Sequence, residues 1–375
     1  MTIQFNEPFI AGREREYIDQ VFERGAFGGN LEFSKRCQKW LAQYTGAAHV
    51  LMTHSCTGAL ELAAMLLDLT ADDEVIVPSF TFCATASAFL RTGAKLVFCE
   101  IDPTTFNMDV DDVQKRVTER TKAIVPVHYA GVACDMPRLQ AIADDCGATL
   151  VEDAAQGVGA WLGEQHLGAI SPVGCWSFHE TKNIHCGLGG AIAVSDELWQ
   201  RAEIIWERGT NRQMMYRGLV DKYSWVDLGS SFYTAEISCA FLYAQLEALD
   251  DHLTTRRALW DRYRERLTPL ADAGKLALLH TTPQQRHNAH AMPVVLSSAD
   301  ESERVRLELR ERDIAAHIHY VPLHSAPMGR KLGYTAQDLP VTEEYAARLL
   351  RLPMHNNLSE ADIDTVVDAL AAVLG

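Results

Sequence analysis

Cys37, Trp40, Leu41 and Tyr44 fall at i, i+3, i+4 and i+7, the spacing of one apolar face of an amphipathic helix. A short apolar strand is predicted at His49–Met52. The small polar run Thr53-His54-Ser55-Cys56-Thr57-Gly58 then opens a helix that turns Leu60, Ala63, Ala64 and Leu67 inward, with a hydroxyl side chain placed to cap it. Short apolar runs bounded by turn residues predict further strands at Glu74–Val77, Lys95–Cys99, Lys122–Val127, in the run ending at Asp153, and at Ala191–Val194. Between them, helical patterns lie near Val110–Val117, over Met136–Cys146 and over Glu197–Arg208. Strands alternating with helices in this way predict an α/β protein with a doubly wound sheet. Residues 209–227 show no period, and a long helical region is expected over Ala235–Leu267. The remainder predicts a smaller α+β domain with strands at Ala291–Leu296 and Ala315–Tyr320 and helices at Glu303–Arg312 and Glu360–Leu374. We therefore expect a larger domain over residues 1–248 and a smaller one over 249–375, with no internal repeat, low-complexity run or linker.

A chain of 375 residues is long enough for two such domains, and 47% apolar with 22% charged residues is the balance of a globular protein. The net charge of −16 argues against nucleic acid or an anionic membrane as the main partner. It leaves room for a small anionic ligand, because backbone amides at a helix start bind phosphate whatever the global charge. The nine cysteines are scattered and include no Cys-x-x-Cys pair, which fits reduced thiols in a cytoplasm better than disulfides or a zinc site. Met1–Gly12 shows no basic stretch followed by an apolar one, and no run of eighteen apolar residues occurs, so a soluble cytoplasmic protein is expected.

The chemistry concentrates in Cys175-Trp176-Ser177-Phe178-His179-Glu180-Thr181-Lys182-Asn183 and the following Ile184-His185-Cys186-Gly187-Leu188-Gly189-Gly190. A lysine at a strand end is by itself most often a solvated edge charge. Glycines behind it remove side chains where another group must approach the backbone, so Lys182 is expected to face a ligand. Upstream, Thr149-Leu150-Val151-Glu152-Asp153 is an apolar strand ending in a carboxylate, the place where open α/β sheets bind ligands. Pyridoxal phosphate needs an amine to bond to its aldehyde and a carboxylate to keep its ring nitrogen protonated. Lys182 and Asp153 are the candidates, and the 29 positions between them leave room for a loop and one more strand.

Three segments, Ser177-Phe178-His179-Glu180-Thr181-Lys182-Asn183, Val151-Glu152-Asp153-Ala154-Ala155-Gln156 and Val127-His128-Tyr129-Ala130-Gly131-Val132-Ala133-Cys134, resemble the nucleotide-sugar aminotransferases of the DegT/StrS type. The resemblance runs from Phe5 to Leu358. It implies the aspartate-aminotransferase-like fold, pyridoxal phosphate fold type I with a mixed sheet, and pyridoxal 5'-phosphate as cofactor. It assigns Lys182 as the residue that bonds the cofactor and moves a proton during turnover, and Asp153 to the ring nitrogen. Cys56 and Thr57 are assigned to the phosphate, Phe82 to stacking on the ring, Ala155 to its underside, Gln156 to the phenolic oxygen and Ser177 to a further hydrogen bond. Ser231 is assigned to the phosphate of a partner subunit's cofactor, in a homodimer with shared active sites. His179, Tyr320 and His324 are expected in the sugar pocket, bordered by residues 209–227. The implied reaction moves an amino group from L-glutamate to C4 of a dTDP-4-keto-6-deoxy-hexose, giving the galactose- or glucose-configured dTDP-4-amino-4,6-dideoxy sugar for a surface polysaccharide or glycosylated natural product.

Three positions depart from the commoner family pattern. Cys56 stands where glycine is usual and Leu188 where glutamate is usual. Ser231 stands where many members carry asparagine, though Gly229-Ser230-Ser231 resembles the members that make 4-amino-4,6-dideoxygalactose. His317, His319 and His324 suggest a metal, but no acidic or cysteine ligand accompanies them and none is expected. Related proteins that dehydrate keto-sugars replace the lysine by histidine, and a catalytically silent binding protein on this fold tends to lose the lysine or the carboxylate; this chain keeps both. A nucleotide-binding oxidoreductase lacks support, since no Gly-x-Gly-x-x-Gly follows the first strand.

Overall fold

The computed structural model describes residues 2–375. Its main sheet has seven strands in the order His49–Thr53, Gly190–Val194, Val173–Ser177, Thr149–Asp153, Thr121–Ile124, Glu74–Pro78 and Lys95–Cys99. Gly190–Val194 runs antiparallel to both neighbours, and every other adjacent pair is parallel. The strands are rich in apolar residues because both faces are covered, and Glu74–Pro78, Val173–Ser177 and Gly190–Val194 are buried at every position. On one face, helices Cys56–Leu66, Cys83–Leu90 and Asp196–Trp206 bury Leu60, Phe89 and Trp206 with Val75 and Val77 of the sheet. On the other, helices Glu14–Arg24, Glu32–Thr45 and Glu236–Glu247 bury Tyr17, Phe33 and Leu242 with Trp176. Helix Met136–Cys146 extends that layer through Met136 and Leu139. This is the doubly wound α/β fold the alternating pattern predicts, with the mixed sheet the resemblance implies.

A smaller antiparallel sheet of Ala277–Leu278, Met292–Val295 and Leu349–Leu352 packs with helices Ala299–Glu311 and Glu360–Leu374 around Val294, Leu309, Leu350 and Val366. Helix Leu249–Asp272 joins the two parts. Its Leu249 and Leu253 lie in the core of the large sheet, whereas Leu259, Tyr263 and Leu267 lie in the core of the small one.

The structure corrects the sequence reading in four places. The helical region over 235–267 is two helices, broken at Ala248, whose φ of −95° and ψ of 4° leave the helical range. Residues 315–320 form no strand; only His317 bridges to Arg351, while Phe5 packs edge-on against His317 and His319 stacks on Tyr320. The strand expected over 122–127 stops at Ile124, ahead of Pro126, which has no N–H for a ladder. The aperiodic stretch 209–227 contains a short helix, Arg212–Tyr216, closed off by a bridge between Thr210 and Trp225. Among the described residues no helix is long and apolar enough to cross a membrane.

Candidate active site

Thr53, Asp153 and Ser177 end neighbouring strands at one edge of the main sheet, and Gly190 begins its antiparallel strand there, opposite both Thr53 and Ser177. Ligands of open α/β sheets bind at such an edge because loops diverge from it and helix starts point at it.

Beyond Thr53 the chain turns into helix Cys56–Leu66, and Ser55 caps it by accepting the Gly58 N–H at 3.0 Å. A Cβ built on Gly190 would stand 2.4 Å from the backbone nitrogen of Cys56 and 2.4 Å from the carbonyl carbon of Ser55. Only glycine lets the strand lie this close beneath the helix start. Gly190→Ala is therefore expected to cost about 2 kcal/mol through overpacking, and to weaken binding of a phosphorylated ligand by displacing the amides of Cys56 and Thr57. Thermal melting and a pyridoxal phosphate titration read the two effects.

Asp153 is 5% exposed. Its Oδ2 accepts the Thr85 hydroxyl at 2.7 Å and its Oδ1 accepts the Ala155 N–H at 3.1 Å. Burial pushes its pKa up, opposed by those two donors and by the charge of Lys182. The strand end is anchored from behind by Glu152, which is fully buried and accepts N–H groups of Gly168, Ile170 and Ser171 at 2.7, 2.9 and 2.7 Å. The Cys134 N–H donates to Nδ1 of His128, leaving Nε2 to donate to Glu152 at 2.9 Å. Burial acts to raise the Glu152 pKa, but these donors hold it below the usual range.

Lys182 lies in a closed loop. The Phe178 N–H bonds to the Gly189 carbonyl, Cys186 to Phe178, Glu180 to Gly187, and the Lys182 N–H itself to His179 at 2.9 Å. The next residue, Asn183, is clasped by the smaller part of the chain: its Nδ2 donates to the Asn288 carbonyl at 2.8 Å and its Oδ1 meets His290 Nδ1 at 2.9 Å. Asn288 in turn donates to the carbonyls of Gln156 and Val158. Burial lowers the Lys182 pKa, opposed by nearby Cys56 and Asp153.

These groups line one cavity of about 480 Å3. Of the residues singled out in the sequence, it brings together Cys56, Thr57, Phe82, Asp153, Ala155, Gln156, Ser177, His179, Lys182 and Tyr320. Phe82 is 59% exposed, so its ring is free to cover a ligand. Gln156 accepts the Ala130 N–H at 2.7 Å through Oε1 and donates to the Tyr320 hydroxyl at 3.1 Å. Leu188, 60% exposed, stands on the cavity wall in the position where a carboxylate is the commoner family residue. Two expected residues lie elsewhere. His324 is completely buried, with Nδ1 2.6 Å from the Ser79 hydroxyl and Nε2 3.3 Å from Glu343, so it ties the chain to the end of strand Glu74–Pro78 and does not face the cavity. Ser231 is exposed, accepts from Arg208 at 3.0 Å and lies outside this cavity. The sequence reading missed Thr85; its one signal is a hydroxyl one turn into the helix that follows Phe82.

The donor set fits pyridoxal phosphate. It offers a desolvated amine on Lys182, a buried carboxylate with lone pairs to spare on Asp153, and a capped helix start pressed close by Gly190. Phe82 and Ala155 offer apolar surface for a flat ring.

Comparison with known proteins agrees. The model of the DegT/DnrJ/EryC1/StrS aminotransferase family matches residues 8–371. GDP-perosamine synthase of Caulobacter vibrioides is 31% identical over 371 residues, covering 98% of this chain and 97% of that protein. UDP-N-acetyl-3-dehydro-alpha-D-glucosamine 3-aminotransferase of Acidithiobacillus ferrooxidans is 33% identical, covering 89% of this chain and 86% of its own length. Among solved structures, Spr1654 of Streptococcus pneumoniae in its PLP form superposes with a TM-score of 0.91 at 26% identity, covering 100% of this chain and 99% of that chain.

Proposed function

The chain belongs to the DegT/DnrJ/EryC1/StrS aminotransferase family and is a pyridoxal-phosphate-dependent sugar aminotransferase; from that premise we propose that it moves an amino group from L-glutamate to C4 of a dTDP-4-keto-6-deoxy-hexose. The observation that carries the transaminase chemistry is Lys182 and Asp153 on the wall of a single cavity with a helix start at its end. The choice of sugar rests on Gly229-Ser230-Ser231 and on the motif around Lys182. We take residues 1–248 as the cofactor-binding part and 249–375 as the smaller part. The active form is a homodimer, in keeping with the apolar side chains of Tyr216, Leu219, Trp225 and Leu228, which are 67%, 64%, 75% and 69% exposed on the single chain.

When bound, the cofactor supplies an aldehyde that takes up amines and a ring that draws electrons from the bond being broken. Lys182 would hold it covalently through Nζ, and the same amine, when free, would take the proton from the donor's α-carbon. A free lysine has a pKa of about 10.4, so burial of Lys182 raises the share of neutral amine available near neutrality. Asp153 holds the proton on the ring nitrogen. Cys56 and Thr57 bind the phosphate through their amides, Ser177 adds a hydrogen bond, and Gln156 orients the phenolic edge. Phe82 and Ala155 would cover the ring and exclude water from it. His179 and Tyr320 border the space left for the sugar, beside the apolar Leu188.

The test is an absorbance spectrum of the purified protein before and after glutamate alone, followed by dTDP-, GDP- and UDP-linked keto-sugars. A band near the visible edge that shifts to shorter wavelength with glutamate, and turnover restored by the dTDP-4-keto-6-deoxy sugar, is the expected result. Turnover with a GDP- or UDP-linked keto-sugar alone would reassign the acceptor. A protein that stays colourless after pyridoxal phosphate is added would overturn the reading.

A further inference from the structure

The turn Asn288-Ala289-His290, just ahead of strand Met292–Val295, is held more firmly than three residues of loop require. Asn288 Nδ2 donates to the carbonyls of Gln156 and Val158 at 2.7 and 2.8 Å, and the Asn288 carbonyl accepts from Asn183 at 2.8 Å. Ala289 has a φ of 51°, in the left-handed region that a side chain disfavours. Arg256 pins it there: Nε donates to the Ala289 carbonyl at 3.0 Å, and one terminal nitrogen to the carbonyls of His290 and Met354 at 3.0 and 3.2 Å. This guanidinium is 4% exposed, and burial lowers its pKa to about 9. A buried cation spent on carbonyls and a strained alanine together over-determine where the turn sits, and strain of this kind gathers where a group must be held in place.

The group so placed is the His290 ring. It lines a cavity of about 160 Å3 that adjoins the cofactor cavity, and also a smaller pocket; Lys182 lines both. Asn183 fixes which ring nitrogen carries the proton. Its Nδ2 is committed to the Asn288 carbonyl, so Oδ1 is the atom that meets His290 Nδ1 at 2.9 Å, and an amide oxygen only accepts. Nδ1 therefore bears the hydrogen, and Nε2 keeps a bare lone pair. The ring stays neutral, chiefly through burial and then through the charges of Lys182, Arg256 and Arg351, with His319 acting in the same direction.

A neutral acceptor suits an amine that must serve as a base. A carboxylate in this place would hold Lys182 as an ammonium, and an imidazolium would have no lone pair to offer. A bare imidazole nitrogen can take one N–H of the amine and leave the amine's own lone pair free. Lys182 needs such a partner because Nζ ends a flexible four-carbon stem. Of the other groups that act on it, Arg351 only donates, Asp153 already accepts from Thr85 and Ala155, and the Cys56 thiol is a weak acceptor.

We propose that His290 is a positioning residue for Lys182: Nε2, left bare by the bond from Nδ1 to Asn183, accepts a hydrogen bond from the Lys182 amine and aims that amine at the donor's α-carbon. No proton changes owner at His290. The assignment rests on the aminotransferase reading for what the amine does, and on the geometry of the turn for how it is held.

Two variants separate the ring nitrogens. His290→Asn puts an amide where Nδ1 stands, so the bond to Asn183 can be kept, and removes Nε2. His290→Gln carries an acceptor as far as Nε2. The first readout needs no cofactor: the cofactor-free full chain is acetylated with acetic anhydride across a pH range, and the peptide bearing Lys182 is quantified by mass spectrometry. The second is the spectral change of the cofactor-loaded protein with L-glutamate in a single turnover. For H290N the expected result is a labelling midpoint about half a unit or more lower, because the ammonium loses an acceptor. Its single-turnover rate falls about 10- to 100-fold, while half-saturation for glutamate moves less than about threefold. H290Q returns the midpoint to the parent's and recovers part of the rate. An unchanged midpoint in H290N would overturn the proposal, whether the rate holds or falls together with the melting temperature. If H290N does not fold, H290Q is read alone: a midpoint within about 0.2 units of the parent's supports the assignment, and a larger shift counts against it. A parent protein with no spectral response to glutamate, but with the midpoint still lowered in H290N, would sink the transaminase reading and leave the hold on the amine standing.

Discussion

Lys182→Ala is expected to lower kcat by about 10^4-fold or more, since the proposed mechanism makes one side chain both the covalent attachment and the proton carrier. No other described group replaces it. Among the residues lining the cavity, His179 is the nearest alternative in sequence, and its Nδ1 is engaged by Thr181 at 3.0 Å. The variant is expected to fold, because among the described residues no hydrogen bond depends on the Lys182 amine, while the loop's backbone bonds and the Asn183 clasp remain. Activity with saturating donor and acceptor reads the loss. The amine form of the cofactor is expected to stay bound, and small primary amines added from solution restore a fraction of the rate. Full activity in this variant would end the aminotransferase reading.

Asp153→Asn lowers kcat by about 10^3- to 10^4-fold, equivalent to roughly 4 to 5.5 kcal/mol of barrier. The substitution keeps size and shape. Its remaining oxygen can still accept from Ala155, but the amide carries no negative charge to hold a proton on the ring nitrogen. The folded protein loses little, since burial already works against the Asp153 charge. A melting temperature close to the parent's, with both half-reactions slowed, is the expected pattern. A loss confined to the sugar half-reaction would place Asp153 outside this role.

Most of the cavity was legible because its residues stand where the chain leaves strands. Asp153, Ser177 and the Ser55–Thr57 turn follow apolar runs whose ends are plain in sequence, and a doubly wound sheet brings such ends to one edge. Gln156 and Lys182 follow within a few residues of those ends, and Phe82 follows the end of strand Glu74–Pro78. What stayed hidden depends on partners far away in the chain. Thr85 serves Asp153 from 68 positions upstream, and nothing local marks it as more than a helix threonine. His324 misled for the converse reason: its neighbour Tyr320 does reach the cavity, but Ser79, 245 positions away, holds His324 at the end of strand Glu74–Pro78. The break at Ala248 was invisible because alanine is the residue most at home in a helix.

Helix Leu249–Asp272, about 36 Å long at 1.5 Å per residue, begins inside one core and ends inside the other. It is therefore no hinge. Cutting the chain at residue 248 would leave a hole where Leu249 and Leu253 belong, and would strand the small sheet on a helix with a bare apolar end. The two halves of this molecule share a beam, and neither can be lifted out as an independent module for grafting onto another cofactor-binding scaffold.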